Sequence, residues 1–111
     1  MKITTQKIPK DIPKESMDQL FRNMADYFGV LSESSRLRIM YTICSGEKSV
    51  TEVIAHCGSS QANVSRHLSA LHKAGILKRR KEGVVVYYAI ADTATVDMCQ
   101  TLCSKMLASL H

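Results

Sequence analysis

From Ser49 to Gly75 the chain spells out two short helices laid end to end with almost no connection between them. No other feature narrows the possible folds as much. Ser49-Val50-Thr51-Glu52 has the form of a capping box, in which the serine hydroxyl accepts from the backbone three residues on and the glutamate reaches back. Val50, Val53, Ile54 and Cys57 follow as the apolar positions, and Gly58 stops the run. Ser59 or Ser60 then caps a second helix that runs to Ala74 and is closed by Gly75, with Val64, Leu68 and Leu71 on its core face. Helices this short are not stable alone, so each apolar stripe must lie against another element.

The flanks say what those elements are. Met17, Leu20, Phe21, Met24, Phe28 and Leu31 recur at helical spacing and predict a first helix from about Ser16 to Leu31. Leu37, Met40, Tyr41 and Cys44 mark a second, from about Ser34 to Cys44, ended by Gly46. After Gly75 the pattern changes. Ile76–Arg80 and Val84–Ala91 are rich in Val, Tyr and Ile and read as strands, with Lys81-Glu82-Gly83 as the hairpin turn. Asp92 starts a last helix to about Leu110, with Val96, Cys99, Cys103, Met106 and Leu110 as its stripe and Leu102 and Leu107 beside it. The expected fold is mainly α with a β-hairpin wing, in the order α-α-α-α-β-β-α, which is a winged helix-turn-helix. Residues 1–14 carry Lys2, Lys7, Lys10, Lys14, Pro9 and Pro13 and read as a basic N-terminal arm. Residues 15–111 are the expected domain for DNA binding and dimerisation.

Charge points to the partner. The net charge is +5 in 111 residues, which favours a polyanion. Six of the basic residues, Arg66, Lys73, Lys78, Arg79, Arg80 and Lys81, fall between 66 and 83 against a single acid, Glu82. Ser60, Gln61, Asn63, Ser65, Arg66 and His67 occupy the N-terminal half of the second short helix, the part of a recognition helix that enters the major groove. Gln and Asn pair bidentately with adenine and Arg with guanine, while the Ser60 hydroxyl and the helix N-terminus suit a phosphate. Lys78, Arg79, Arg80 and Lys81 on the hairpin would contact phosphates or the minor groove. Two plainer readings stay open: a lysine-rich strand edge that only resists aggregation, and a His67 that hydrogen-bonds between the helix-turn-helix and the fifth helix. No secretory signal and no apolar run of about 18–20 residues is visible, so a cytoplasmic protein with reduced cysteines is expected and a membrane span is not. A chain of this size buries only about two-thirds of its unfolded surface, which makes a second subunit natural.

Several stretches together resemble the ArsR/SmtB family of winged-helix repressors. They are Leu31-Ser32-Glu33-Ser34-Ser35-Arg36-Leu37-Arg38-Ile39, Gly46-Glu47-Lys48-Ser49-Val50, Ser60-Gln61-Ala62-Asn63-Val64-Ser65-Arg66-His67-Leu68, Ala74-Gly75-Ile76-Leu77, and Gly83 with Val86-Tyr87-Tyr88. The resemblance implies a homodimer built mainly by the first and last helices. It also implies binding of double-stranded DNA at a pseudo-palindromic operator, released by a signal. It argues against the best-known signals. Arsenic- and cadmium-type members carry Cys-Val-Cys where this chain has Ser49, Val50 and Thr51, and hydroxyls are poor ligands for soft metals. Zinc-type members carry further ligands along the last helix where this chain keeps Asp92 but has Ala94, Lys105 and Ala108. No metal and no cofactor is therefore expected at the familiar positions.

The signal is sought in the cysteines. Cys99 and Cys103 share one helix face. Thiol-based members of the family use one cysteine on the second helix and one on the last, at positions matching Tyr41 and Leu107 here. Cys44 lies one turn later and Cys103 one turn earlier, so antiparallel helices would bring them face to face. The expectation is a redox or persulfide switch through Cys44 and Cys103, with Cys99 as alternate partner. Cys57 reads as core, and all four cysteines can also serve as small hydrophobes. A soft-metal or metalloid site of Cys99, Cys103 and a third ligand such as Cys44 is one alternative. A winged-helix protein-interaction module without operator specificity is another. An enzyme is not expected, since there is no phosphate loop, no paired-carboxylate motif and no nucleophile with a base.

Overall fold

A computed structural model describes residues 11–110. The expected arm lies, as far as residue 10, outside the described residues. The elements are α1 (Lys14–Val30), α2 (Ser34–Cys44), β1 (Lys48–Ser49), α3 (Val50–Cys57), α4 (Gln61–Lys73), β2 (Leu77–Glu82), β3 (Val85–Ile90) and α5 (Thr93–Leu110). All five helices and both long strands stand where periodicity puts them, within about two residues at their ends.

Three details differ from expectation. The antiparallel sheet has three strands in the order β1-β3-β2. Its extra member pairs Lys48 with Tyr88 and Ser49 with Tyr87, and two residues are too few to show a period. The hairpin turn is Gly83-Val84 rather than Lys81-Glu82-Gly83, because Glu82 still pairs with Val85. Gly83, at φ +61°, supplies the positive φ that a two-residue turn needs at its first position. Helix α1 begins at Lys14, with Pro13 as its N-cap.

Local chemistry makes the helix-turn-helix. Ser49 Oγ accepts from the Glu52 amide at 3.1 Å and Glu52 Oε1 accepts from the Ser49 amide at 3.0 Å, completing the capping box. Gly58 closes α3 in the left-handed region at φ +65°. Ser60 then caps α4 by accepting from the Asn63 amide at 3.2 Å. Helix α4 ends in a Schellman motif: the Gly75 amide bonds to the His72 carbonyl and the Ile76 amide to the Leu71 carbonyl. Ile76 plunges into the core directly after it.

The core gathers one face from each of α2, α3, α4 and the sheet. Ile39, Ile43, Val53, Val64, Leu68, Leu71, Ile76 and Leu77 are fully buried. Helices α1 and α5 sit at its margin. Within α1 no residue is buried, and Leu20, Phe21, Met24 and Phe28 are exposed. On α5 only Thr95 is buried, while Met98, Leu102, Met106, Leu107 and Leu110 face outward. The two helices are tied at one point. Tyr27 Oη donates to Asp92 Oδ2 at 2.9 Å and contacts Thr95 Oγ1, whose hydroxyl donates to the same carboxylate oxygen at 2.6 Å.

Candidate nucleic-acid interface and cysteine cluster

The core stripe of α4 fixes which residues it turns outward. With Val64, Leu68 and Leu71 buried, the exposed polar residues in the N-terminal half are Gln61, Asn63, Ser65 and Arg66, with Ser60 at the cap. These side chains carry donors and acceptors and stand at the positive end of the helix dipole. Ser60 Oγ accepts from Asn63, which leaves its hydroxyl proton free to donate.

His67 is not part of this surface. It is only 4% exposed, because it lies one turn after Val64 on the core side of the helix. Its Nδ1 accepts from Arg36 Nε at 3.1 Å. Glu33 Oε2 lies 3.3 Å from the same two nitrogens. Burial first, then the Arg66 and Arg36 charges, hold the imidazole below its ordinary pKa against the opposing pull of Glu33. A neutral ring with its proton on Nε2 satisfies this arrangement, and Glu33 then bonds through the Arg36 guanidinium. Arg36 also donates to the Val30 carbonyl at 3.3 Å. The hydrogen-bond partner of His67 among the described residues is the start of α2, and not the fifth helix that the structural reading named.

The wing has two chemically distinct faces. Pairing across the sheet places Leu77, Arg79, Lys81, Val86, Tyr88 and Ile90 on one face and Lys78, Arg80, Glu82, Val85, Tyr87 and Ala89 on the other. The first face looks into the core at its base, where Leu77 and Tyr88 are buried and Tyr88 meets His72 of α4 edge-on at 6.3 Å. Toward the tip the same face carries Arg79 and Lys81, both exposed.

On the opposite face Arg80 is engaged. Its Nε and Nη2 fork onto Glu47 at 2.9 and 2.7 Å, and its Nη1 donates to Glu82 at 2.8 Å. Its guanidinium carbon lies 4.3 Å from the Tyr87 ring centre. The two carboxylates raise the already high guanidinium pKa, and Arg80 in turn holds Glu47 below the usual carboxylate range. Sequence reasoning counted Arg80 among the free cations. Glu47 lies 33 residues away, and no local signal joins the two.

The cysteines are all free thiols. Cys44 is near enough to Cys99 for the charge of one thiol to act on the other. Cys99 packs against the core, and burial together with the neighbouring Cys44 pushes its thiol pKa up. Cys103 is exposed one turn further along α5, past the point where the helix leaves the core. Burial also raises the Cys44 thiol. Cys57 is half-buried, 3.9 Å from the Thr42 hydroxyl, as a core residue should be. Among the described residues no three His, Cys, Asp or Glu side chains converge as a metal site would require. Asp92 is spent on capping α5 and on Tyr27: its Oδ1 accepts from the Thr95 amide at 3.2 Å. Among the same residues no helix is long and apolar enough to cross a membrane.

Residues 33–79 match the family model described as bacterial regulatory protein, arsR family. A probable mercury resistance operon repressor of Streptomyces lividans is 34% identical over 74 residues, which are 67% of this chain and 59% of that protein. A homolog of the transcriptional repressor SmtB from Synechocystis is 31% identical over 94 residues, covering 85% of this chain and 70% of that protein. Among solved structures, the transcriptional repressor BigR from Xylella fastidiosa superposes with a TM-score of 0.71 at 25% identity, over 84% of this chain and 95% of that one. A homodimeric winged helix-turn-helix DNA-binding domain from Mycobacterium bovis has the same fold, with a TM-score of 0.74 at 24% identity over 89% of this chain and 94% of that one.

Proposed function

Since this chain belongs to the ArsR family of bacterial transcriptional regulators, we propose that it is a repressor that binds a pseudo-palindromic duplex operator as a homodimer. One observation carries the reading: α4 exposes Gln61, Asn63, Ser65 and Arg66 in its N-terminal half and is followed by a hairpin that carries Lys78, Arg79 and Lys81. Gln61, Asn63 and Arg66 read bases, Ser60 and the α4 N-terminus take a phosphate, and the wing cations neutralise the backbone. His67 and Arg80 are left out, the first for burial and the second for its two carboxylates. The second copy covers the apolar faces of α1 and α5 that are exposed among the described residues. Such a protein works in the cytoplasm, where its operator is. Footprinting on a genomic fragment library tests this. A dimer protects two half-sites about one helical turn apart, roughly 34 Å, whereas uniform, sequence-independent protection would mark an interaction module instead.

The release signal we place on Cys44 and Cys99, with Cys103 on the exposed face of α5 as the alternate partner. Joining Cys44 and Cys99 forms one S–S bond and loses two thiol protons, and the two electrons pass to a peroxide or polysulfide. Drawing α2 toward α5 in this way would shift α4, which packs on α2. A soft metal held by cysteines is the second reading, favoured by the mercury resistance repressor among the relatives. Operator binding before and after peroxide or polysulfide, in the wild type and in Cys44→Ser/Cys99→Ser, separates the cases. Equal release of both proteins would sink the assignment, and a thiolate charge-transfer band on metal titration of the reduced protein would favour the metal.

A further inference from the structure

Arg80 crosses the outer face of the sheet. It starts on β2, lies over Tyr87, its direct cross-strand partner on β3, and ends on Glu47, the residue before β1. It therefore spans all three strands in the order β2, β3, β1. The place where it does so matters. Strand β1 pairs with β3 only at Tyr87 and Tyr88, and then turns into α3 at Val50. Beyond Arg80 and Tyr87 the hairpin continues through Lys81–Val86 with its two strands paired to each other. Val84 at its tip is 94% exposed. Among the described hydrogen bonds and ion pairs, the Arg80–Glu47 fork is the tie nearest that tip between wing and body.

We propose that Arg80 is a positioning residue, a strap that sets the angle of the wing to α4 so that Arg79 and Lys81, on the opposite face, meet the DNA backbone. This rests on the DNA-binding reading above. The chemistry suits an arginine. A planar guanidinium can fork onto one carboxylate, bond a second and stack on a ring at once, and a lysine cannot. Lys78 shares the outer face with Arg80, and Glu47 and Glu82 match these two cations there, so that face carries no surplus positive charge for a phosphate. Of the four wing cations, Arg79 and Lys81 face the α4 side, Lys78 lies on the outer face, and Arg80 holds the frame.

The experiment combines Arg80→Lys, Arg80→Gln and Glu47→Gln, each in the full chain. In the free protein, backbone order parameters of the wing amides 81–86 should fall from about 0.85 toward 0.6 or less in every variant. The double variant Arg80→Gln/Glu47→Gln should fall no further than either single change. On duplex DNA, Arg80→Lys should lose as much affinity as Arg80→Gln, severalfold, with the wild-type salt dependence kept. A direct phosphate contact predicts the opposite: near wild-type affinity for Arg80→Lys, and for Arg80→Gln a loss of about 0.9 in the slope of log affinity against log salt. That outcome, or an unchanged wing order in Arg80→Gln, overturns the strap. Wild-type protein that binds no duplex would overturn the repressor reading alone, because the order parameters need no DNA.

Discussion

Arg36 Nε donates to His67 Nδ1 at 3.1 Å, joining the first turn of α2 to the middle of α4. The bond requires a neutral imidazole, and burial keeps it so. A histidine whose native pKa is depressed stabilises the fold fully above its unfolded value, near 6.5, and the contribution is lost as pH falls through that value toward the lower native one. Urea unfolding at pH 7.5, 6.5 and 5.5 should show this decline. In His67→Asn, which keeps an acceptor near Nδ1, the decline between pH 7.5 and 5.5 should be smaller. An identical slope in both proteins would remove His67 as its source.

Asp92 is the only carboxylate that links α1 to the start of α5 through Tyr27 among the described hydrogen bonds. The Thr95 hydroxyl, Tyr27 and the Thr95 amide hold it below the usual carboxylate range. Its contribution is therefore present at neutral pH and above about 3.9, and is lost as pH falls through its lower native value. Asp92→Ala removes a helix cap and should cost about 1 kcal/mol at pH 7. Denaturant melts should show that cost shrinking toward pH 3.

Leu68 is fully buried where α4 meets the core. Leu68→Ala should cost about 2–5 kcal/mol, from lost transfer energy plus the cavity left behind. Chemical denaturation measures it, and a cost below about 1 kcal/mol would mean that this core readily collapses around the gap.

The two classes of DNA contact should separate in a binding assay run across salt. Lys81→Ala should weaken all duplexes alike and reduce the salt slope by about 0.9. Arg66→Ala should cost about 1–3 kcal/mol on the operator and relax preference at one base pair. Were Arg66→Ala to weaken operator and random DNA equally, Arg66 would belong with the phosphate contacts.

Phe28 on α1 and Met106 on α5 are about half exposed. If a second copy covers them, Phe28→Glu and Met106→Glu each place a charge in an apolar interface. Sedimentation should shift from dimer to monomer at micromolar concentration, with operator affinity falling in parallel. An unchanged sedimentation coefficient in both variants would move the dimer interface elsewhere.

Much of this molecule is written in short-range signals. The capping box at Ser49 and Glu52, the Ser60 cap and Gly58 each act within four residues. Spacing alone therefore located α3 and α4 and the turn between them. The α4 stripe of Val64, Leu68 and Leu71 fixed which polar residues point outward, because 3.6 residues per turn leaves few choices. The resemblance to a repressor family rested on the same stretches.

What escaped was set by distance along the chain. Strand β1 exists only because Tyr87 and Tyr88 pass beside residues 48 and 49. Whether His67 meets solvent or Arg36 depends on how α2 packs on α4. Whether Arg80 meets phosphate or Glu47 depends on three strands coming into register. Cys99 packs against the core and Cys103 does not, because α5 leaves the core after its second turn. By itself the sequence determined the elements, their order and the polar face of α4, since local hydrogen bonding and helical periodicity act between near neighbours. The tertiary structure decided which cations, imidazoles and carboxylates remain free, since that depends on partners 30 to 70 residues away.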